Sequence, residues 1–215
     1  MDDEQQRLQT GIAALEGQRG VLGDAVVNAA VAGLRARLAE LRTLGRAAEP
    51  EQSLKQATIL FLDVVGSTAL GQRLDPEEIS AVMDGALSRG TTIVEAHGGK
   101  VLKYAGDNLL AAFGVDGAAE DDAERAVRSG LALLALGKSL RAEVLARHNY
   151  AGFDVRVGIH TGGVLLGGGV DQDASIRGQA VNIAARMEQT APAGALRISH
   201  DTYSAVRGAC SEGFR

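Results

Sequence analysis

An acidic residue, Asp63, ends a long apolar run and directly precedes a turn-forming segment, in the order FLDVVGST. A carboxylate beside so much apolar surface is unfavourable unless a cation compensates it. The turn after it has the composition of a backbone loop that binds anions. An acid next to such a loop predicts a metal ion held between carboxylate and phosphate. The residues predicted to bind the phosphate are Val64, Val65, Gly66, Ser67 and Thr68.

A second acid, Asp107, lies in a predicted hairpin turn, Gly106-Asp107, between two short apolar runs. If the first strand and this hairpin are neighbours, Asp63 and Asp107 could face each other. Two such carboxylates repel unless cations bridge them, and two metal ions about 4 Å apart are the usual arrangement for phosphoryl transfer. Each acid also has a simpler interpretation, Asp63 as a turn cap and Asp107 as an ordinary hairpin residue.

Two polar residues, Asn182 and Arg186, are spaced one turn apart on a predicted helix after Gly178, so they point the same way. An amide suits a ribose oxygen, and a guanidinium suits a phosphoryl group. Alternatively, Arg186 pairs with Glu188 or another acid. Lys103, four residues before Asp107, is equally ambiguous.

These residues are distributed over an alternating pattern of strands and helices. A strand over 57–63 is followed by a helix with Asp75 as its N-cap and Pro76 at its first position. The hairpin, a helix from Glu120 to about Arg147 and a strand over 153–162 come next. The order β-α-β-β-α-β is typical of a ferredoxin-like core. The fold class is therefore α+β, with an extra helix and strand after the core and a helical segment before it.

The N-terminal segment, residues 1–50, lacks strand patterns and ends in a linker. Its apolar residues recur at heptad spacing, and either an amphipathic helix docked on its own domain or a dimer-forming helix would explain this. Residues 51–215 form the second predicted domain. The heptad positions are Val27, Val31, Leu34, Leu38 and Leu41.

Composition excludes several classes of function. A net charge of −5 and an aromatic content of 3% argue against nucleic-acid binding. A single cysteine, Cys210, cannot form an internal disulfide, and no signal peptide or apolar run of membrane-spanning length is present. The four histidines have no zinc-ligand spacing. We therefore expect a cytoplasmic protein without a membrane segment.

Four motifs together resemble the class III nucleotidyl cyclase catalytic domain, the family of adenylate and guanylate cyclases. They are FLDVVGST, KYAGDNLLAAFG, VRVGIHTG and RGQAVNIAARME, and the resemblance covers roughly residues 55–207. It implies that Asp63 and Asp107 bind two Mg²⁺ or Mn²⁺ ions per site and that Asn182 and Arg186 act in the transition state. It also implies that Lys103 selects adenine, and that ATP is cyclised at sites shared between two chains of a homodimer.

The sequence departs from the family pattern at three points. Ser175 stands where a second purine-reading residue is often Asp or Thr, and Gln179 stands where an Asp is common. The final hairpin, with its triphosphate-binding lysine, is expected to be missing. These departures leave two alternatives to an adenylate cyclase, a catalytically weak or inactive dimerisation module and a guanylate cyclase.

Overall fold

The computed structural model describes residues 2–48, 53–167 and 176–213. By its internal contacts the chain separates into two units, Met1–Glu51 and Gln52–Arg215. Ser175 and the end of the predicted linker lie outside the described residues.

The N-terminal unit is a pair of helices joined by a short helical turn. Val27, Val31 and Leu38 of the heptad pattern are buried where the third helix packs against the first, whereas the side chain of Leu41 lies outside the description. The apolar seam is therefore covered within its own segment, an arrangement that neither sequence interpretation anticipated. The helices are α1 (Asp2–Gly17), α2 (Arg19–Leu22) and α3 (Asp24–Ala48).

The second unit is built on a mainly antiparallel sheet. Its strands run in the order β2-β3-β1-β4-β5, and β6 pairs parallel with β4. The two longest strands, β1 and β4, pair along their whole length, from Ser53 opposite Leu166 to Val65 opposite Asp154. The strands are β1 (Ser53–Val65), β2 (Lys100–Ala105), β3 (Asn108–Phe113), β4 (Asp154–Leu166), β5 (Ile176–Arg177) and β6 (Leu196–Ile198).

Helices cover the two faces of the sheet unequally. Alternate residues of β1, such as Leu60 and Leu62, join the large core beneath the long helices, while Ile59 joins a smaller cluster with Ala180 and Ala184. The smaller cluster is edged by apolar side chains that are only partly buried. The helices of this unit are α4 (Ser67–Gly71), α5 (Pro76–Ala96), α6 (Asp122–His148), α7 (Gln179–Thr190) and α8 (His200–Gly213).

The predicted ferredoxin-like α+β core is confirmed. The order β1-α5-β2-β3-α6-β4 is the predicted βαββαβ unit, and α7 and β6 are the extra helix and strand. Asp75 caps α5 as expected, because its carboxylate accepts hydrogen bonds from the amides of Glu77 and Glu78. The short helix α4, strand β5 and the last helix α8 were not predicted. Among the described helices, none is both long enough and apolar enough to span a bilayer.

A buried histidine lies in the middle of β4, beside the start of α8. His160 is 5% exposed, and its Nδ1 lies 2.8 Å from Oγ of Ser199. Burial lowers the pKa of His160, and Asp201, 3.8 Å away, only partly opposes this effect. The neutral imidazole is therefore the form that the fold favours.

This burial predicts that acid destabilises the protein through His160. Because the pKa is lower in the folded chain, the unfolded chain takes up the proton first as pH falls below about 6.5, and stability declines there. The melting temperature of the wild type should fall more between pH 7.5 and pH 5.5 than that of His160→Asn. Exposed His200, replaced in the same way, is the control. Equal pH dependence in the wild type and His160→Asn would contradict this.

Candidate active site

Asp63 lies on the sheet face that α7 covers, near the end of β1. It pairs in register with Asn108 of β3 and with Arg156 of β4, so these three side chains share one face. Asp63 is only 7% exposed. The central strand β1 thus places a buried acid near its end, between polar residues of its two neighbouring strands.

Asp107 occupies the two-residue turn between β2 and β3, and several contacts fix it beside β1. Its backbone carbonyl accepts the amide hydrogen of Val64, with 3.2 Å between nitrogen and oxygen. Its carboxylate accepts hydrogen bonds from Oγ of Ser67 at 2.5 Å and from Nδ2 of Asn108 at 3.2 Å. The structure therefore brings Asp107 to the same end of the sheet as Asp63, as the sequence predicted.

The groups around Asp63 have opposing effects on the pKa of its carboxyl. Burial raises the pKa of its carboxyl, Arg156 lowers it, and the negative charge of Asp107 raises it again. Nε of Arg156 donates to Oδ2 of Asp63 at 2.8 Å. The two aspartates are thus close enough to influence each other, and a guanidinium already supplies positive charge to one of them.

These residues fit the predicted divalent ions. Oδ1 of Asn108, next to both acids, is buried and has no hydrogen-bond partner. In the part of the chain that the structure describes, no three His, Cys, Asp or Glu side chains form a metal cluster. Mg²⁺ is commonly held by only one or two carboxylates, with substrate phosphates completing its coordination. The pair Asp63 and Asp107 suits an ion of that kind, bound together with a phosphorylated substrate.

The turn after Asp63 becomes the start of α4. Gly66 precedes that helix with φ = +84°, and a Cβ there would lie 2.2 Å from the carbonyl oxygen of Gly152, so only glycine fits. The amides of Ser67 and Thr68 belong to the first helical turn and have no acceptor within the helix. The amide of Val64 is different, because it already donates to Asp107. Of the predicted phosphate-binding residues, Val64 therefore has its amide engaged already, and phosphate binding by Val65, Gly66, Ser67 and Thr68 stays a prediction.

Helix α7 lies very close to the sheet and presents Asn182 and Arg186 outwards. A Cβ at Gly158 of β4 would be 2.0 Å from the backbone nitrogen of Glu188, so this glycine permits the close approach. Asn182 and Arg186 are both exposed, one turn apart. The alternative partner suggested for Arg186, Glu188, instead lies 2.7 Å from Arg156.

Lys103 is exposed on the same sheet face as Asp63. It lies opposite Leu110, which lies opposite Phe61, two residues from Asp63. Two strand spacings, about 10 Å, separate β2 from β1. Within the described residues, no hydrogen bond or ion pair joins Lys103, Asn182 or Arg186 to either aspartate. In this part of the chain the acids adjoin their loop, whereas Lys103 on β2 and Asn182 and Arg186 on α7 are exposed and not bonded to them.

Sequence reasoning missed Arg156, and it named Glu188 only as a possible partner of Arg186 rather than of Arg156. Arg156 stands between Val155 and Val157 in the alternating strand pattern, and this position puts it on the face opposite to theirs. The alternation could therefore have shown which face of β4 carries Arg156. It could not have identified the partner of Arg156, because that partner depends on the register between β1 and β4.

Comparison with known families and sequences shows which proteins this chain resembles. The profile of the adenylate and guanylate cyclase catalytic domain matches residues 49–215. An adenylate cyclase of Mycobacterium tuberculosis is 28% identical over 169 residues, which cover 75% of this chain and 37% of that protein. A receptor-type guanylate cyclase of Caenorhabditis elegans is 27% identical over 169 residues, covering 78% of this chain and 16% of that protein. The chain thus spans well under half the length of these relatives.

Solved structures agree with the sequence comparisons. The adenylyl cyclase CyaB from P. aeruginosa is 32% identical with a TM-score of 0.70, and the similarity covers 74% of this chain and 84% of that one. The guanylyl cyclase Cya2 is 28% identical with a TM-score of 0.65, covering 71% of this chain and 79% of that one. Proteins named for either nucleotide therefore share the fold.

Proposed function

Because the chain belongs to the family of adenylate and guanylate cyclase catalytic domains, we propose that it is an adenylate cyclase, converting ATP to cyclic AMP and pyrophosphate. The observation that carries this proposal is the pairing of two acids, Asp63 and Asp107, beside a turn that opens a helix. The first-turn amides are placed to hold phosphate oxygens near both carboxylates. A cytoplasmic location is part of the proposal, in keeping with the single cysteine.

In this reaction the ribose 3′-oxygen attacks the α-phosphorus in line, and pyrophosphate leaves. Mg²⁺ or Mn²⁺ ions held by Asp63 and Asp107 would supply Lewis acidity and neutralise phosphate charge. Asn182 orients the ribose, and Arg186 stabilises the negative charge that develops on the α-phosphoryl oxygens. The chain's own contribution is therefore positioning and electrostatic stabilisation.

We further propose that the active unit is a homodimer with shared sites. Among the residues that the structure describes, no hydrogen bond or ion pair joins the acids to Lys103, Asn182 or Arg186, and a second chain would bring the two sets together at one site. The sheet face that carries Asp63 and Lys103 also has an incomplete apolar covering, which suits a partner of the same kind. Its partly buried apolar residues are Phe61, Leu102, Leu110, Leu166, Ile176 and Val181.

A direct assay tests the activity. Purified protein is incubated with ATP or GTP and Mn²⁺ or Mg²⁺, and cyclic nucleotide and pyrophosphate are quantified. Cyclic AMP and pyrophosphate in equal amounts are expected. Cyclic GMP as the main product would favour the guanylate cyclase alternative, which the similarity to guanylate cyclases of C. elegans and to Cya2 supports. Metal-dependent nucleotide binding without any product would favour the inactive module.

The base preference is expected to depend on Lys103. Its ammonium can donate to N1 of adenine, an acceptor, whereas N1 of guanine carries a hydrogen. Lys103→Glu should lower the ratio of kcat/KM for ATP to that for GTP by about tenfold, the effect of one mismatched hydrogen bond. Lys138→Glu, at an exposed position on α6, is the matched control and should leave the ratio unchanged. An unchanged ratio in Lys103→Glu would contradict the role given to this lysine.

A further inference from the structure

Arg156 lies between two buried acids and the end of α7. Its Nη2 is 2.7 Å from Oδ2 of Asp63, and its Nε is 2.7 Å from Oε1 of Glu188. Its Nη1 donates to the backbone carbonyl of Gln189 at 3.3 Å. A guanidinium keeps its proton at any ordinary pH. Asp63 is therefore provided with a cation by the chain itself.

The two acids hold this cation in different ways. The Nε hydrogen of Arg156 is directed at Asp63 in a well-formed hydrogen bond. Oε1 of Glu188, although equally near, is buried and accepts no hydrogen bond. Glu188 thus attracts the guanidinium mainly through its charge, and the last carbonyls of α7 add to that attraction. Burial raises the pKa of Glu188, and Arg156 acts to lower it. The same cation is pulled towards α7 and towards Asp63.

We propose that Arg156 is a resident counter-cation that competes with divalent ions for Asp63, and that Glu188 weakens this competition by attracting the same guanidinium. The inference rests on the proposed metal-binding role of Asp63 and Asp107. It makes Arg156 and Glu188 positioning residues that set the metal affinity of the site.

The proposal requires the two residues to have opposite effects. Without the charge of Arg156, a divalent ion meets a more negative site and no rival for Asp63, so it binds more tightly. Without the charge of Glu188, the site is less negative and Arg156 has only Asp63 as an acidic partner, so the ion binds more weakly. Two residues that merely stabilised the fold would both weaken binding when replaced.

Calorimetric titration with Mn²⁺ measures these effects, with 3′-deoxy-ATP present at a constant saturating concentration because the ion is expected to bind together with phosphate. Arg156→Gln should lower the dissociation constant by about tenfold, and Glu188→Gln should raise it by about tenfold. Arg156→Gln should also melt at a lower temperature without metal and gain more from Mn²⁺ than the wild type does. Arg125→Gln is the control, because Arg125 pairs with another buried acid, Asp122, which lies against Gly114 at the opposite end of β3 from the site. Its Mn²⁺ affinity should equal that of the wild type.

The possible outcomes separate this inference from the proposed function. If Asp63→Ala leaves Mn²⁺ binding unchanged, the metal site itself is wrong and both proposals fail. If binding depends on Asp63 but the two variants shift it in the same direction or not at all, only the competition is overturned. If Arg156→Gln is too unstable to purify, the Mn²⁺ affinities of Glu188→Gln and Arg156→Lys test the competition instead. The lysine variant keeps the charge and should stay near the wild type, and unchanged affinity in Glu188→Gln would then overturn the inference.

Discussion

Asp63→Ala or Asp107→Ala should abolish cyclic AMP formation, with a loss in kcat of about a thousandfold or more, since the ions these residues hold are expected to supply several kcal/mol of transition-state stabilisation. Asp63 and Asp107 both lie at the end of the sheet that carries the predicted phosphate loop. Glu188 cannot substitute for either aspartate, because its carboxylate is held by Arg156. The measurement is the rate of cyclic AMP production at saturating Mn²⁺.

Two controls separate this effect from loss of the fold. Asp84→Ala removes an exposed acid of α5 that accepts a hydrogen bond from Ser80, and it should keep wild-type activity. Asp107→Asn keeps the size of the side chain and its contact with Ser67 but loses the charge, so it should be almost as inactive as the alanine variant. Rates near the wild type in either alanine variant, with saturating metal, would show that the two-metal assignment is wrong.

The fold could largely be predicted from the sequence, because its signals are local. Asp75 and Pro76 mark the start of α5, and the alternation in β4 identifies its buried face. Strand β5 escaped prediction because its two residues are defined by pairing with β4. Helix α8 was missed although its start is local, since Oγ of Ser199 accepts the amide hydrogen of Thr202 at 3.2 Å. Short-range patterns thus fix most elements, and an element that depends on its neighbours, such as β5, is lost.

The candidate site could be predicted only in part. Asp63 and Asp107 were found because each breaks an apolar pattern, and their proximity follows from the strand order. Two contacts depend on the register between strands that are far apart in the sequence. They are the hydrogen bond from the Val64 amide to Asp107 and the contact of Arg156 with Asp63. A residue's partner across a sheet is a tertiary property, which is why these two features appeared only in the structure.

Shared sites lead to the second large effect, rescue between inactive variants. In a symmetric dimer one site would take Asp63 and Asp107 from the first chain and Lys103, Asn182 and Arg186 from the second, and the other site the reverse. A heterodimer of Asp107→Ala with Arg186→Ala then has both lesions in one site and none in the other. Each variant alone should be inactive, while their mixture should form cyclic AMP.

The amount of rescue is itself a test. Random exchange of equimolar chains makes half of the dimers heterodimers, each with one intact site of two, so the mixture should reach about a quarter of wild-type activity. Sedimentation must first show that the subunits exchange. Asp107→Ala mixed with Asp63→Ala is the matched control, because both lesions fall on the same half of the site and no intact site can form. If the sites lay within single chains, every site in the first mixture would carry a lesion, so exchange without rescue would exclude the shared arrangement.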